Sequence, residues 1–319
     1  EDSAVPIVRE LIKANPQIPA HLLIGDDAIG ANPKLSNVVK GWDAARHDWI
    51  VIADSNAKLP RDLLRSLFAA WRPDTGVVCS MPIGSRPMTF AAELECAFLN
   101  TLQARFQYVS EALGWGFAQG KTMLFRRDII DSAGGIRALA AETAEDAATT
   151  KLVRGAGLHV RLVDRPVEQP LGARRLSDVW ARQLRWARLR RVSFPLLFLP
   201  ELLVGFAFPV AALGIAAWCD GFVLPAAAIL VLPLAWLSAE GLLAAVTGWH
   251  FTARTAVATM LRDLLVPVLC IAAWLGNGYV WRGNRITASP GNDARVGHIR
   301  RSVASRTYFG IKQRFWQDV

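Results

Sequence analysis

The chain is 319 residues long, 52% hydrophobic and 20% charged, with a net charge of +9. That length holds one large or two ordinary domains, and the averages conceal a split: residues 1–192 have the composition of a soluble protein, whereas Phe194 to Val280 has few charges and long apolar runs, a membrane composition. The basic excess lies beside the apolar block, which favours lipid headgroups and a phosphorylated substrate. No RNA- or DNA-binding motif accompanies it, so nucleic acid is set aside as a partner. Cys79, Cys96, Cys219 and Cys270 form no CxxC pair, and two of them lie in apolar runs. This argues against a disulfide framework or a structural zinc site and for small buried hydrophobes.

In chain order, "SAVPIVRELIKAN" (3–15) has helical spacing with Pro6 early, where proline suits a helix start. "AHLLIG" (20–25) reads as a short strand, "GANPKLSN" (30–37) as a loop and "NVVKGWDAARH" (37–47) as a helix. "DWIVIAD" (48–54) is a continuous apolar run stopping at an aspartate, the pattern of a buried parallel strand. "TGVVCSMPI" (75–83) is the next strand, and Thr89 to Glu111 a long helix. "GWGFAQGKTMLFRR" (114–127) is strand-like, "AEDAATTKLVRGAG" (144–157) a helix ending in glycines, and "HVRLV" (159–163) a strand. The alternation predicts an α/β domain with a mainly parallel sheet, whose ligands sit beyond the carboxyl ends of the strands. Asp2, Asp54 and Asp146 are then neighbours at one rim. No signal peptide is visible. The chain opens at Glu1-Asp2 without a methionine, and we expect the first strand of the domain upstream, with room for an N-terminal membrane helix.

The apolar block divides into Phe194–Trp218, Phe222–Val246 and about Ala256–Trp281, each near the roughly 20 residues that span a bilayer. Prolines inside are tolerable in membrane helices. Before it stands "ARQLRWARLRRVSF" (181–194), rich in arginine and flanked by Trp180.

Glu1-Asp2, "GANPKLSN", "IADSNAKLP" (52–60), "AEDAATT" (144–150) and "RQLRW" (182–186) occur in that order. The ordered set resembles the ceramide glucosyltransferases, in the lipid-modifying branch of the GT-A nucleotide-sugar glycosyltransferases. Their pattern is three aspartate motifs, then [Q/R]-x-x-R-W, then C-terminal membrane segments. The resemblance covers about residues 1–285 and implies a GT-A, Rossmann-like fold followed by α-helical transmembrane segments. It also implies a nucleotide-sugar donor, a metal and an inverting mechanism. The expected organisation is a cytoplasmic catalytic domain at 1–180, a basic interfacial helix at 181–192, about three membrane segments at 193–281 and a basic tail at 282–319.

By that resemblance Asp2 contacts the nucleotide; read alone it is an N-terminal helix cap. Asp54 and Asn56 match the second motif. A diphosphate calls for a hard cation, Mg²⁺ or Mn²⁺, which suits carboxylate oxygen. Many relatives have Asp-x-Asp, whereas Asn56 offers only a neutral oxygen; the bland reading is an Asx turn. Lys34 lies where the family pattern meets the nucleotide and can face a phosphate as a point charge, or be a solvated surface lysine. Asp146 is the candidate general base, taking the acceptor's proton. A helix N-terminus lowers its pKa, while Glu145 and burial raise it, and the sequence leaves that balance open. Arg182, Arg185 and Trp186 share one helix face. That face offers guanidinium groups to the departing diphosphate and an aromatic wall to the acceptor. Arg188, Arg190 and Arg191 are expected to meet acidic lipid headgroups. The whole cluster also reads as an ordinary basic membrane anchor.

Glu201, Glu240 and Asp263 lie in or beside apolar segments, where acids are functional candidates, though Arg262 permits a structural pair with Asp263. His159, His250 and His298 lack metal-ligand spacing. The expected activity is transfer of glucose from UDP-glucose to the primary hydroxyl of a ceramide-like lipid, giving a β-glucosyl lipid, by an integral membrane protein working at the cytoplasmic face. A hopanoid polyol or diacylglycerol is the alternative acceptor. A polysaccharide synthase and a non-catalytic lipid-binding protein are the other rivals. Three full spans would place the tail outside, yet Arg282, Arg285, Arg295, Arg300, Arg301, Arg306, Lys312 and Arg314 favour the inside. The proline-rich first segment is the candidate for a re-entrant path.

Overall fold

The structure, a computed structural model, describes residues 3–289 apart from Asp26, 221–223 and 282–283. The expected helix at the start is α1 (Ala4–Ala14). The next helix, α2 (Pro33–Ala44), begins earlier than predicted. Pro33 takes its first position, and Asn32 Oδ1 accepts the backbone N–H groups of Lys34 and Leu35 at 2.9 and 3.1 Å. Lys34 therefore sits in a capped first turn and not on a loop.

The apolar runs form β1 (Trp49–Ala53), β2 (Thr75–Cys79), β4 (Thr122–Arg126) and β5 (His159–Leu162), in the spatial order β1-β4-β2-β5. β2 pairs with β5 in parallel, but β4 runs antiparallel to both β1 and β2. β1, β2 and β5 therefore share one direction, as expected of a mainly parallel sheet, and β4 alone opposes them. An apolar run buried on both faces has the same pattern in either direction, so sequence does not fix the sense of β4. The direction matters for function, because Ala53 pairs with Thr122. The residue leaving β1 and the residue entering β4 thus meet at the same rim.

"AHLLIG" is not a strand. Its residues have no regular structure, Leu23 and Ile24 are exposed, and no described strand offers it a ladder. An unpaired run between Pro19 and Gly25 gains nothing from strand geometry.

The sheet has an apolar layer on each face. Met123 and Phe125 point to Leu35, Val39 and Trp42 of α2 and to Leu152 and Val153 of α7 (Glu145–Gly155). The alternate residue Leu124 joins Leu63 and Leu67 of α3 (Leu63–Ala69) on the other face. A second small parallel pair, β3 (Pro82–Pro87) and β6 (Val167–Gly172), lies beyond.

The long helix predicted after Thr89 runs from Phe90 to Ala112 as α4 (Phe90–Ala97), a π-helical segment (Phe98–Ala104) and α5 (Arg105–Ala112). α8 (Leu176–Ser193) crosses the expected boundary at residue 180 as one unbroken helix. α4 and α8 pack with α12 (Ala253–Trp274) around Leu94, Phe98, Val179, Ala187, Val266 and Leu269. The helical body is therefore fused to the α/β part through α4.

Each of the three expected apolar segments contains a helix. Among the described residues, α12 is the one helix long and apolar enough to cross a bilayer unaided. The first apolar segment is α9 (Pro195–Phe198), a short 3-10 turn (Leu199–Leu203) and α10 (Ala207–Asp220), and its two parts bend by 55° at the break. α11 (Leu224–Thr247), an apolar helix of 24 residues, supplies the second segment. The third segment stops at Trp274, because Gly276, Asn277 and Gly278 lead into the hairpin β7 (Gly278–Trp281) and β8 (Asn284–Thr287). α12 buries Ala258, Arg262, Asp263, Val266 and Leu269 and exposes Val257, Leu264, Val268, Ile271 and Trp274. Apolar side chains thus cover its outer face as well.

Candidate active site

The antiparallel entry of β4 builds the centre of the site. Asp54 follows β1, Lys121 precedes β4, and the Asp54 N–H donates to the Lys121 carbonyl at 2.9 Å. Lys121 Nζ donates to Asp54 Oδ2 at 2.8 Å and to Asn56 Oδ1 at 2.9 Å. Lys34 Nζ lies 2.9 Å from Asp54 Oδ1 and 2.7 Å from Glu145 Oε1. It also donates to the Gly120 carbonyl. Asn32 Nδ2 closes the row by donating to Glu145 Oε2 at 2.6 Å. Acids and bases alternate from Asn56 to Asn32 along one rim.

Burial pushes the Asp54 carboxyl upward, but Lys34 and Lys121 outweigh it and hold its pKa below the ordinary range. Burial also disfavours the Lys34 charge, yet Glu145 and Asp54 prevail and raise its pKa. For Lys121 desolvation prevails over Asp54 and lowers it, helped by the positive charge of Arg182.

Asp146 stands at the second position of α7. Its Oδ1 accepts the Ala147 N–H at 2.8 Å, and its Oδ2 the Gly120 N–H at 3.3 Å. Desolvation and the adjacent Glu145 push its pKa up to about 6, against the opposing effects of Lys34 and those two N–H groups. The balance left open by the sequence falls to burial.

Arg182, Arg185 and Trp186 do lie on one side of α8. Arg182 Nη1 is 2.5 Å from Oε1 of Glu95, a fully buried acid on α4. Arg174 reaches the same carboxylate at 3.5 Å. Trp186 packs with Ala92, Cys96, Leu99 and Leu171, and the Arg182 guanidinium stands 5.6 Å from its ring. The indole thus props Arg182 between helices. Burial and the neighbouring Arg182 lower the pKa of Arg185, which is partly offset by Tyr279 of β7. Tyr279 is within electrostatic reach of both Arg185 and Glu145, so the C-terminal hairpin closes one side of the rim.

The remaining arginines depart from the lipid-facing expectation. Arg190 makes a two-pronged ion pair with Glu201 at 2.7 and 2.8 Å, while Arg188 donates to the Gly278 carbonyl and Arg191 to Asn277. They tie α8 to the 3-10 turn and the hairpin, because a helix pressed against other elements leaves its basic side chains internal acceptors. Glu240, Arg262 and Asp263 likewise form a structural cluster. Arg262 donates to Glu240, Asp263, Thr101 and the Ala97 carbonyl at 2.8–3.0 Å. His250 pairs with Glu93 at 2.9 Å. Cys79, Cys96 and Cys270 are buried and free, as expected, whereas Cys219 is free but exposed. Asp2, Arg282, His298 and the tail from residue 290 lie outside the described residues; Arg285 lies in β8.

A metal can be tested against these side chains. Among the described residues no three His, Cys, Asp or Glu side chains converge as a metal centre. Asp54 and Asn56 nevertheless aim one oxygen each at a single cation, the Lys121 ammonium. One carboxylate and one amide oxygen, completed by phosphate and water, is a donor set that magnesium accepts, so the pair fits such an ion.

Sequence reasoning found Lys34, Asp54, Asp146 and the α8 motif, which the structure brings to one region. It missed Lys121, Glu95, Asn32 and Tyr279. Lys121 was readable only through its place immediately before β4 in "QGKT", once that strand is known to run antiparallel.

Comparison with known proteins identifies the family. The family model described as "Glycosyl transferase family 21" matches residues 1–294. "Ceramide glucosyltransferase 1" of Caenorhabditis elegans is 27% identical over 203 residues, covering 63% of this chain and 44% of that protein. "Ceramide glucosyltransferase 3" of the same organism is 23% identical over 203 residues, with the same coverage. "Ceramide glucosyltransferase" of Komagataella phaffii is 30% identical over 156 residues, covering 41% of this chain and 30% of that protein. The chain spans less than half the length of these curated relatives. With the mixed α/β architecture and the family match extending over both the rim and the helical body, the chain belongs to glycosyltransferase family 21.

Proposed function

We propose that this chain transfers glucose from UDP-glucose to the primary hydroxyl of ceramide with inversion, producing β-glucosylceramide. The observation that carries the reading is the rim itself. A carboxylate with a pKa of about 6, Asp146, adjoins a row of lysines that suits a diphosphate. The names of the related proteins supply the sugar and the lipid.

In this reading Asp146 accepts the proton of the acceptor hydroxyl as the oxygen bonds to the anomeric carbon and the bond from that carbon to the diphosphate breaks. A pKa near 6 leaves the base ionised at neutral pH while strengthening it relative to an ordinary aspartate. The leaving diphosphate gains negative charge, which Lys34, Arg182 and Arg185 offset more in the transition state than before it. Glu95 and Trp186 hold Arg182 in place. Asp54 and Asn56 are the residues that would hold a divalent cation, which when bound neutralises diphosphate charge. Asp2 is assigned to the nucleotide. The lipid reaches the site from the bilayer around α12, with the catalytic domain on the cytoplasmic face.

The test is to supply membranes containing the chain with labelled UDP-sugars and separate pools of ceramide, diacylglycerol and hopanoid polyol, and to identify products by mass spectrometry. Labelled hexosylceramide from UDP-glucose is expected. Label confined to another lipid would replace the acceptor, and label in a polymer would replace the reading by a polysaccharide synthase.

A further inference from the structure

We propose that Tyr279, presented by the β7–β8 hairpin across the gap between α7 and α8, is a specificity-determining residue: its phenol hydrogen-bonds a hydroxyl of the transferred hexose. The proposal rests on the nucleotide-sugar reading above and adds to it the residue that selects the sugar.

The hairpin is tied down on both sides of that gap. At its start, Arg188 of α8 donates to the Gly278 carbonyl and Arg191 to Asn277. Just past its end, the Ser289 N–H donates to Thr143 Oγ1 at 3.2 Å, shortly before Glu145 opens α7. The Ala288 N–H closes the base of the hairpin on the Asn277 carbonyl at 3.0 Å. The hairpin thus bridges the helix that carries Arg182 and Arg185 and the helix that carries Asp146.

Register then decides which side chain looks inward. Tyr279 pairs with Ile286, and Val280 with Arg285. Opposed residues of an antiparallel pair share a face, and successive residues alternate. Ile286 is buried, whereas Val280 and Arg285 are exposed, so Tyr279 lies on the face turned to the protein. Its partly buried side chain is within electrostatic reach of Arg185 and of Glu145, one on each helix.

The transferred sugar belongs in the same gap. The acceptor oxygen loses its proton to Asp146 and the diphosphate departs toward Arg182 and Arg185, so the anomeric carbon and its ring lie between them. Among the described residues the Tyr279 hydroxyl has no hydrogen-bond partner. Burial pushes its pKa up to about 12, so it keeps its proton and can both donate and accept. A phenol placed in this way discriminates between hexoses, because an epimer with the hydroxyl elsewhere leaves it unpaired.

The experiment measures kcat/KM for UDP-glucose and for UDP-galactose, with ceramide as acceptor and Mg²⁺ present throughout, on the full chain in detergent. The variants are Tyr279→Phe and, from the outward face, Val280→Ala. UDP affinity by calorimetry and a melting curve accompany each. Tyr279→Phe should lower the ratio of kcat/KM for glucose over galactose about tenfold, the worth of one hydrogen bond to a partly buried group. UDP affinity and the melting curve should stay at the wild-type values, and Val280→Ala should leave the ratio unchanged.

A ratio untouched by Tyr279→Phe, or equal losses for both donors with weaker UDP binding, overturns the assignment and leaves the nucleotide-sugar reading intact. The second pattern would mean that Tyr279 only steadies Arg185. If the wild-type chain transfers neither hexose, that reading fails and the Tyr279 assignment fails with it.

Discussion

Arg182 and Glu95 are joined across the α8–α4 packing by an ion pair of 2.5 Å, with the acid fully buried. An arginine in the [Q/R]-x-x-R-W motif is therefore aimed from below by a residue outside the motif. Glu95→Gln keeps the shape and removes the charge. It should lower kcat about tenfold to a hundredfold while changing the UDP dissociation constant little, since a displaced Arg182 costs most when charge develops on the leaving group. Steady-state kinetics and calorimetry on the same preparation separate the two effects. Equal losses in both, or in neither, would remove Glu95 as a positioning residue.

The pKa of Asp146, raised to about 6 by desolvation and Glu145, fixes the sign of the pH dependence. The base works only when deprotonated. Its raised pKa shifts the rise in rate upward, from the usual carboxylate range to near pH 6. The single-turnover rate should then increase about tenfold from pH 5 to pH 7 and level off above. A rate already flat at pH 5 would show that the rate-controlling group titrates lower.

Gly120 has no room for a side chain. A methyl group there would stand 2.7 Å from Glu145 Oε1 and 3.1 Å from Lys34 Nζ. Gly120→Ala must displace one of them, so the row of charges opens. We expect UDP affinity to fall several-fold while the melting temperature changes little, because the displaced atoms are the ends of flexible side chains. Calorimetry and thermal unfolding check the two parts separately.

The Arg262 guanidinium is fully buried between Glu240 and Asp263. Replacing it by Met leaves Glu240 and Asp263 buried without their shared partner, a change costing about 3–5 kcal/mol. Replacing all three charged residues by apolar ones of similar size should recover much of that loss. Thermal unfolding of detergent-solubilised protein compares the two, and equal melting points would contradict a structural role.

The parts legible in sequence are those where one residue type answers one local demand. Trp49–Ala53 and Thr75–Cys79 are apolar enough to be strands in any α/β context, and Asp54 and Asp146 mark where a strand ends and a helix begins. Strand direction was not legible, because Thr122–Arg126 is buried on both faces and no alternation reports its sense. That gap hid Lys121, whose meaning depends on entering the sheet beside Asp54. Glu95 was hidden differently, as an acid within a long helical pattern whose partner lies 87 residues away. The arginines after Trp186 looked lipid-facing because sequence shows their charge but not Glu201 or the hairpin turned back toward them.

The most direct test of the account compares Asp146→Asn with Glu145→Gln in single-turnover transfer from UDP-glucose to ceramide, with UDP affinity measured alongside. Glu145 holds Lys34 and Asn32, whereas Asp146 is the proposed proton acceptor. The account predicts that Asp146→Asn binds UDP normally and transfers about 10²–10⁴-fold more slowly. Glu145→Gln should weaken UDP binding and slow transfer at saturating donor far less. Asp146→Asn turning over at the wild-type rate, with Glu145→Gln inactive at saturating donor, would contradict it.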